Sequence, residues 1–157
     1  CCTGGTSEAA ARARYGLDDM ALIEMGDLFG AALKYLSKHP VPAVALVAGF
    51  GKLSKFAQGH LDTHSRQCAI DLGALAAEAR GLGGAEATAA RIEAANTSLE
   101  ALERAQEAGL SLADRVCARA WDQADRLLPA HTDLSVCAVD RQGEVVGQAA
   151  GVTEDRP

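Results

Sequence analysis

Val41-Pro42-Ala43-Val44-Ala45-Leu46-Val47-Ala48 is almost wholly apolar and runs straight into Gly49-Phe50-Gly51-Lys52-Leu53-Ser54-Lys55. A run of this kind predicts a strand covered on both faces, as strands of parallel sheets are. The glycine turn then predicts a helix from Lys52 to Gln58. Upstream, Met20 to Met25 is a second short apolar run, expected as a buried strand that Gly26-Asp27 breaks. Asp27 stands where it would cap a helix carrying Leu28, Ala31, Ala32, Tyr35 and Leu36 on one face. Lys38-His39-Pro40 closes that helix, since a cation suits its C-terminal dipole and proline cannot continue it. Strand, helix, strand, glycine turn, helix is a βαβα unit. The fold class expected is therefore α/β, with a Rossmann-like parallel sheet, an Ala-rich helical segment and a C-terminal strand pair.

Working outward, Thr3-Gly4-Gly5-Thr6-Ser7-Glu8 reads as a turn running into a helix from Glu8 to Arg14, with Thr6 or Ser7 as its cap and Gly16 as its stop. Downstream, a long helix is expected from Ser65, because Cys68, Leu72, Leu75, Ala79 and Leu82 recur at spacings of three and four. Gly83-Gly84 ends it. Further helices carry Ile92, Ala95, Leu99 and Leu102, then Val116, Ala120, Ala124 and Leu127. Asn96 is the expected cap between them, and Ser111 with Asp114 forms a capping-box variant. Leu134 to Val139 and Glu144 to Gly147 read as strands joined by the turn Asp140-Arg141-Gln142-Gly143. Trp121 is expected in the core. Residues 1–150 are expected to form one domain, and 151–157 a frayed tail.

Composition narrows the function. The chain has 157 residues, of which 48% are hydrophobic, 23% charged and only 4% aromatic, so its core must be built from Ala, Leu, Val and Ile. A net charge of -6 and four lysines argue against a nucleic-acid binder, which needs clustered cations. No apolar run approaches the roughly 20 residues of a membrane-spanning helix, and no signal peptide is visible. Five cysteines are an odd number. Cys68, Cys117 and Cys137 fall on apolar faces, where free thiols behave as small hydrophobes and suit a reducing cytoplasm. Cys1-Cys2 lacks the spacing of a zinc site and reads as the end of a strand. The opening in mid-motif, without Met, reads as the start of a piece of a longer protein.

Four polar segments carry the chemistry. Gly49, Phe50 and Gly51 follow a strand, where glycines let a ligand approach the backbone and the next helix points its amides at an anion. Lys52 and Lys55, three apart, share a face of that helix. The spacing fits neither a Walker motif nor a full G-x-G-x-x-G. Gly59-His60-Leu61-Asp62-Thr63-His64-Ser65-Arg66 reads as a ligand loop with Arg66 as a carboxylate fork. Alternatively Asp62 or Thr63 caps the next helix, or His60, Asp62 and His64 hold a metal. Gly4, Gly5 and Thr6 precede a helix N-terminus and are candidates to hold an anion. Glu24, expected within a strand, would be costly to bury without a partner, which makes it a candidate for ribose or other polar groups.

Taken in order, Thr-Gly-Gly-Thr-Ser-Glu-Ala-Ala-Ala from Thr3, Ala-Leu-Ile-Glu-Met-Gly-Asp from Ala21, Gly-Phe-Gly-Lys-Leu-Ser-Lys from Gly49 and Gly-His-Leu-Asp-Thr-His-Ser-Arg from Gly59 resemble the C-terminal half of the CbiD family. The resemblance runs from Thr3 to about Gln148 and is most specific between Gly51 and Ser65. It implies methyl transfer from S-adenosyl-L-methionine to C-1 of cobalt-precorrin-5B, giving cobalt-precorrin-6A, in anaerobic cobalamin biosynthesis. On that reading Gly4, Gly5, Thr6, Glu24, Gly49, Phe50 and Gly51 are candidates for the cofactor, with Phe50 packing on a flat ring. Lys52, Lys55, His60, Asp62, His64, Ser65 and Arg66 are candidates for the cobalt-containing tetrapyrrole, with Lys52, Lys55 and Arg66 suited to its acetate and propionate carboxylates. No resident metal is expected. The family's N-terminal half is a further expected partner, and self-association is compatible with the sequence. Two other readings compete: a non-catalytic domain that binds a nucleotide-like ligand or a partner, and a metal-dependent hydrolase using His60, Asp62 and His64.

Overall fold

The computed structural model describes residues 1–64, 66 and 68–151. In chain order the elements are α1 (Gly5–Tyr15), α2 (Phe29–Lys38), β1 (Ala43–Gly49), α3 (Phe50–Ala57), α4 (Leu72–Gly81), α5 (Glu86–Glu93), α6 (Ser98–Glu107), α7 (Leu112–Asp125), β2 (Asp133–Val139) and β3 (Val145–Ala150). The fold is α/β. Its sheet has three strands in the order β1-β2-β3. β1 runs parallel to β2, with Ala43 opposite Asp133 and Gly49 opposite Val139. β3 returns antiparallel to β2 with an irregularity at Ala138/Val139. The sheet is thus mixed, and among the described residues its parallel pairing of full strands is confined to β1 and β2. The crossover between them contains α3 to α7.

The strand from Val41 to Ala48 and the helix after the glycine turn form where the apolar run predicts. Val44, Leu46 and Ala48 enter the main core with α2, α3 and the helices of the crossover. Val47 turns to the opposite face, where Cys137 and Val139 of β2 meet Cys2 and Ala11 of α1. Coverage on both faces is the reason the run is so uniformly apolar. The scarce aromatics are spent at the centre: Phe29, Phe50 and Phe56 are each at most 1% exposed, and the rings of Phe29 and Phe56 stack with centroids 4.6 Å apart. Trp121 packs on this core and donates from Nε1 to the Leu134 carbonyl at 2.9 Å.

Several local expectations are corrected. Met20 to Met25 is not a strand. Asp18 Oδ1 accepts from Ala21 N at 3.1 Å and draws Asp19–Ala21 into a single 3-10 turn. Glu24 meets the sheet only through a parallel bridge to Cys2, which itself bridges Val47. Glu24 is therefore an exposed residue, not a buried mid-strand carboxylate. Asp27 does not cap α2, whose N-cap is Leu28 without a side-chain bond, because the Asp27 carboxylate is engaged elsewhere.

α1 begins at Gly5. The Ser7 hydroxyl lies inside it, accepting from Thr3 N and donating to the Gly4 carbonyl, both at 2.9 Å, so it pins the turn ahead of the helix. The long helix expected from Ser65 starts at Leu72 instead, since Asp71 caps it by accepting from Ala74 N at 2.9 Å. Ser65 itself and the tail 152–157 lie outside the described residues.

α6 is capped by Thr97, one residue after the expected Asn96. Thr97 Oγ1 accepts from Glu100 N at 3.1 Å, while Glu100 Oε2 reaches back to Asn96 N at 2.7 Å. Ser111 makes no side-chain cap bond to α7. Asp114 accepts from Gln148 N of β3 at 2.8 Å, and so fastens α7 to the sheet. Leu128, not Leu127, is the buried residue after α7. The last strand begins one residue later than expected and runs on to Ala150.

Candidate functional site

β1 and β2 end side by side, Gly49 opposite Val139. Beyond these carboxyl ends lies a hollow of about 480 Å³, walled by Thr3 to Ser7, Gly49 to Lys52, Ser98, Leu99 and Val139 to Arg141. Its volume lies within the roughly 300–1,000 Å³ of small-molecule sites. Three helices begin at its wall: α1 at Gly5, α3 at Phe50 and α6 at Ser98. The first amides of a helix have no partner within it, and its N-terminus carries partial positive charge. Three such ends around one hollow favour a negatively charged or strongly polar ligand group.

Gly49 is informative here. Its φ of -59° and ψ of 140° suit any residue, and an added Cβ would meet no atom within 4 Å. Neither backbone nor packing calls for glycine at that point, and a side chain there would take up room in the hollow. An added Cβ on Gly5 likewise meets nothing, whereas one on Gly51 would lie 2.8 Å from Ser98 Oγ. Gly51 is therefore where α3 and the start of α6 approach closely.

Lys52 is held on two sides. Its Nζ donates to the Thr3 carbonyl at 3.2 Å and pairs with Asp27 Oδ1 at 3.2 Å. Asp27 also accepts from the buried Thr63 hydroxyl at 3.0 Å. Partial burial works against the charge of Asp27, but the Thr63 hydroxyl and the Lys52 ammonium outweigh it and hold the carboxyl below its ordinary range. Asp27 lines a second hollow, of about 440 Å³, with Glu24, Met25, Gly26, Leu28, Asp62 and His64. The Lys52–Asp27 pair thus joins the walls of the two hollows.

The structure brings Gly4, Gly5, Thr6, Gly49, Phe50, Gly51 and Lys52 to one place, as a ligand turn requires. It puts Glu24 elsewhere, in the second hollow beside Asp62 and His64. Phe50 is 1% exposed and belongs to the core, so its ring is not available to stack on a ligand. Lys55 lines neither hollow. Its Nζ donates to the Thr63 carbonyl at 3.2 Å and holds the 59–64 loop against α3. His60 is tied through its amide to the Lys55 carbonyl at 3.1 Å. Asp62 caps no helix, since its Oδ1 accepts from His64 N at 3.0 Å within the loop. Arg66 is exposed, and its amide donates to His64 Nδ1 at 3.2 Å. Among the described residues no three His, Cys, Asp or Glu side chains converge as metal ligands, so His60, Asp62 and His64 do not form the set a metal hydrolase would need.

Ser98, Leu99, Val139, Asp140 and Arg141 were not among the expected site residues. Asp140 and Arg141 were within reach, because the strand-end rule applied to β1 holds equally for the strand ending at Val139. Ser98 and Leu99 carry no local signal, and only the crossover delivers them. Asp140 organises the hairpin, accepting from Gln142 N at 2.8 Å and Glu144 N at 2.9 Å. Arg141 is exposed at the hollow and forms no ion pair among the described residues.

The family model described as CbiD, C-terminal domain, matches residues 62–150. The chain belongs to the CbiD family. It is 53% identical over 148 residues to proteins of Pseudomonas putida and Burkholderia multivorans, each named cobalt-precorrin-5B C(1)-methyltransferase, covering 94% of this chain and 41% of theirs. A Pseudomonas aeruginosa protein of the same name is also 53% identical, with 40% of its length covered. This CbiD chain therefore spans about two-fifths of the length of the curated relatives it matches. No solved structure matches it. Among the described residues no helix is long and apolar enough to cross a membrane.

Proposed function

We propose that this domain takes part in methyl transfer from S-adenosyl-L-methionine to C-1 of cobalt-precorrin-5B, giving cobalt-precorrin-6A, and that the hollow at the carboxyl ends of β1 and β2 holds the methyl donor. The observation that carries the reading is the meeting of the Thr3–Ser7 turn with the Gly49–Lys52 turn around one hollow. Strand carboxyl ends are where open α/β sheets, Rossmann-like ones included, receive nucleotide-like ligands. Family membership and the relatives' name, cobalt-precorrin-5B C(1)-methyltransferase, support methyl transfer at C-1.

The donor would supply a sulfonium methyl group by in-line displacement: C-1 of the macrocycle forms a bond to the methyl carbon as the carbon–sulfur bond breaks, and S-adenosylhomocysteine leaves. What the protein must contribute is position. The amides at the starts of α1, α3 and α6 suit the carboxylate of the donor's amino-acid part, with Gly4, Gly5 and Gly49 leaving it room. Lys52, Lys55, His60, Asp62, His64, Ser65 and Arg66 remain the candidates for the macrocycle's rim. Lys52 is committed to Asp27 and Thr3, so Arg141 joins them as a cation without an ion pair among the described residues, suited to a substrate carboxylate.

Calorimetric titration with S-adenosylhomocysteine tests the placement. Binding to this chain that Gly49→Ala weakens supports it. Should the full-length Pseudomonas putida relative bind with equal strength before and after the matching substitution, the donor lies elsewhere and the hollow is left to the tetrapyrrole.

A further inference from the structure

The opposite end of the sheet carries a second feature. β1 has β2 on one side. Among the described residues Cys1 and Cys2 run beside its other side, Cys1 donating from its nitrogen to the Ala45 carbonyl at 2.7 Å and accepting from Val47 N at 2.9 Å. The next residue bonds the other way: Cys2 N donates to the Ile23 carbonyl and Met25 N to the Cys2 carbonyl, both at 2.8 Å. Both bridges of Cys2 are parallel. Cys1 and Cys2 thus follow the ladder of a parallel strand lying between β1 and the Ile23–Met25 segment.

Backbone groups alternate sides along a strand. Ala45 and Val47 turn theirs toward Cys1, so Ala43 faces the same edge. Just below Cys1 this edge opens into a groove of about 470 Å³, floored by Ala43 to Ala45 and flanked by Tyr15, Met20, Ile23 and Val41. Its flanks are apolar yet open: Met20 is 93% exposed, Ile23 40% and Val41 36%. An uncovered sheet edge bordered by exposed apolar side chains is a template for another strand.

We propose that this groove is the seat of a β-strand, supplied by the part of the longer CbiD proteins that lies ahead of this C-terminal domain. The strand runs parallel to β1 in the register that Cys1 and Cys2 already show, and bonds to Ala43 and Ala45 on one side. On its other side it meets the backbone leading into Ile23, beside the Ile23–Met25 segment that already bonds to Cys2. The finished sheet then has four strands, three of them parallel, in place of three. The relatives are long enough to supply the segment, since the match spans only 41% of them. Parallel direction and continuity with Cys1 favour this occupant over a second copy of the chain, which would have to bring a strand into a lane already entered by Cys1.

Amide exchange, corrected for intrinsic rates, tests this without any ligand. The readout is protection at the Ala43, Ala45 and Ile23 amides in this chain, and at the aligned positions of the full-length Pseudomonas putida relative. The expected result is protection at least about tenfold greater in the full-length protein, because the amides exchange only when the added strand opens. Equal, weak protection in both proteins overturns the proposal. So does protection in this chain that rises with its own concentration, which would assign the edge to a second copy.

Discussion

Lys52 Nζ lies 3.2 Å from Asp27 Oδ1, so a residue of α3's first turn is joined to one just ahead of α2. The pair has a pH signature. The Asp27 carboxyl sits below its ordinary 3.8 in the folded chain, so the stabilisation it provides is present above that value and is lost as pH falls through the lower folded value. Asp27→Asn should cost about 0.5–1 kcal/mol at pH 7, the scale of a partly exposed pair. Urea midpoints of parent and variant should draw together as pH falls below 3.8 toward the lower folded value. A gap that stays constant throughout that fall would mean that Asp27 acts through shape and not charge.

Gly49→Ala separates binding from folding. The backbone there suits alanine and an added Cβ touches nothing. Stability should stay within about 0.5 kcal/mol of the parent. Affinity for S-adenosylhomocysteine should fall by roughly tenfold, the equivalent of about 1.4 kcal/mol. Thermal denaturation and calorimetry read the two effects independently.

Gly147→Ala should do the reverse. Gly147 lies on β3 against α7, where an added Cβ would stand 2.5 Å from the carbonyl carbon of Ala113 and 2.6 Å from its Cβ. Backbone cannot step aside as a flexible side chain can, so the overpacking should cost about 1–3 kcal/mol. The check is the urea midpoint, which should drop well below that of the Gly49 variant.

The thiols should be inert. Burial pushes Cys117 up to about 12 and raises Cys2 and Cys137 as well. The thiolate is the reactive form, and these three side chains are at most 1% exposed. Iodoacetamide at pH 8 should leave all three unmodified in the folded chain and label them fully in urea. Labelling of Cys117 in the native protein would show that α7 opens from the sheet.

Thr97→Ala should loosen the start of α6 by about 1 kcal/mol, the usual effect of losing an N-cap. Thr97 Oγ1 accepts from Glu100 N at 3.1 Å, and Ser98, the first residue of α6, lines the hollow. Ligand affinity should therefore fall along with thermal stability, which distinguishes this variant from Gly49→Ala.

The comparison of sequence with structure turns on how far each signal reaches. The run from Val41 to Ala48 and the turn at Gly49 were legible because burial on both faces leaves a continuous apolar stretch, and a glycine turn at its end is a local matter. The turns at Gly4 to Thr6 and at Gly49 to Lys52 were legible as breaks before helices for the same reason. Met20 to Met25 misled because an apolar run states that a segment wants cover, without stating whether a partner strand is present to pair with it. Glu24 was misplaced with it. Asp27 was read as a cap because caps are local, whereas its true partners, Lys52 and Thr63, arrive from other parts of the chain.

By itself, then, the sequence determined the α/β class, the strand at β1, the glycine turn that ends it, and membership of the family whose motifs it carries. All of these rest on spacing between near neighbours. Tertiary structure alone decided that the Thr3–Ser7 and Gly49–Lys52 turns share one hollow, that Ser98 and Arg141 stand at its wall, that the Phe50 ring belongs to the core, and that Cys1 and Cys2 run beside β1. The physical reason is that convergence of distant segments is set by how helices pack across the β1–β2 crossover, and no periodicity in the chain records where that packing brings them.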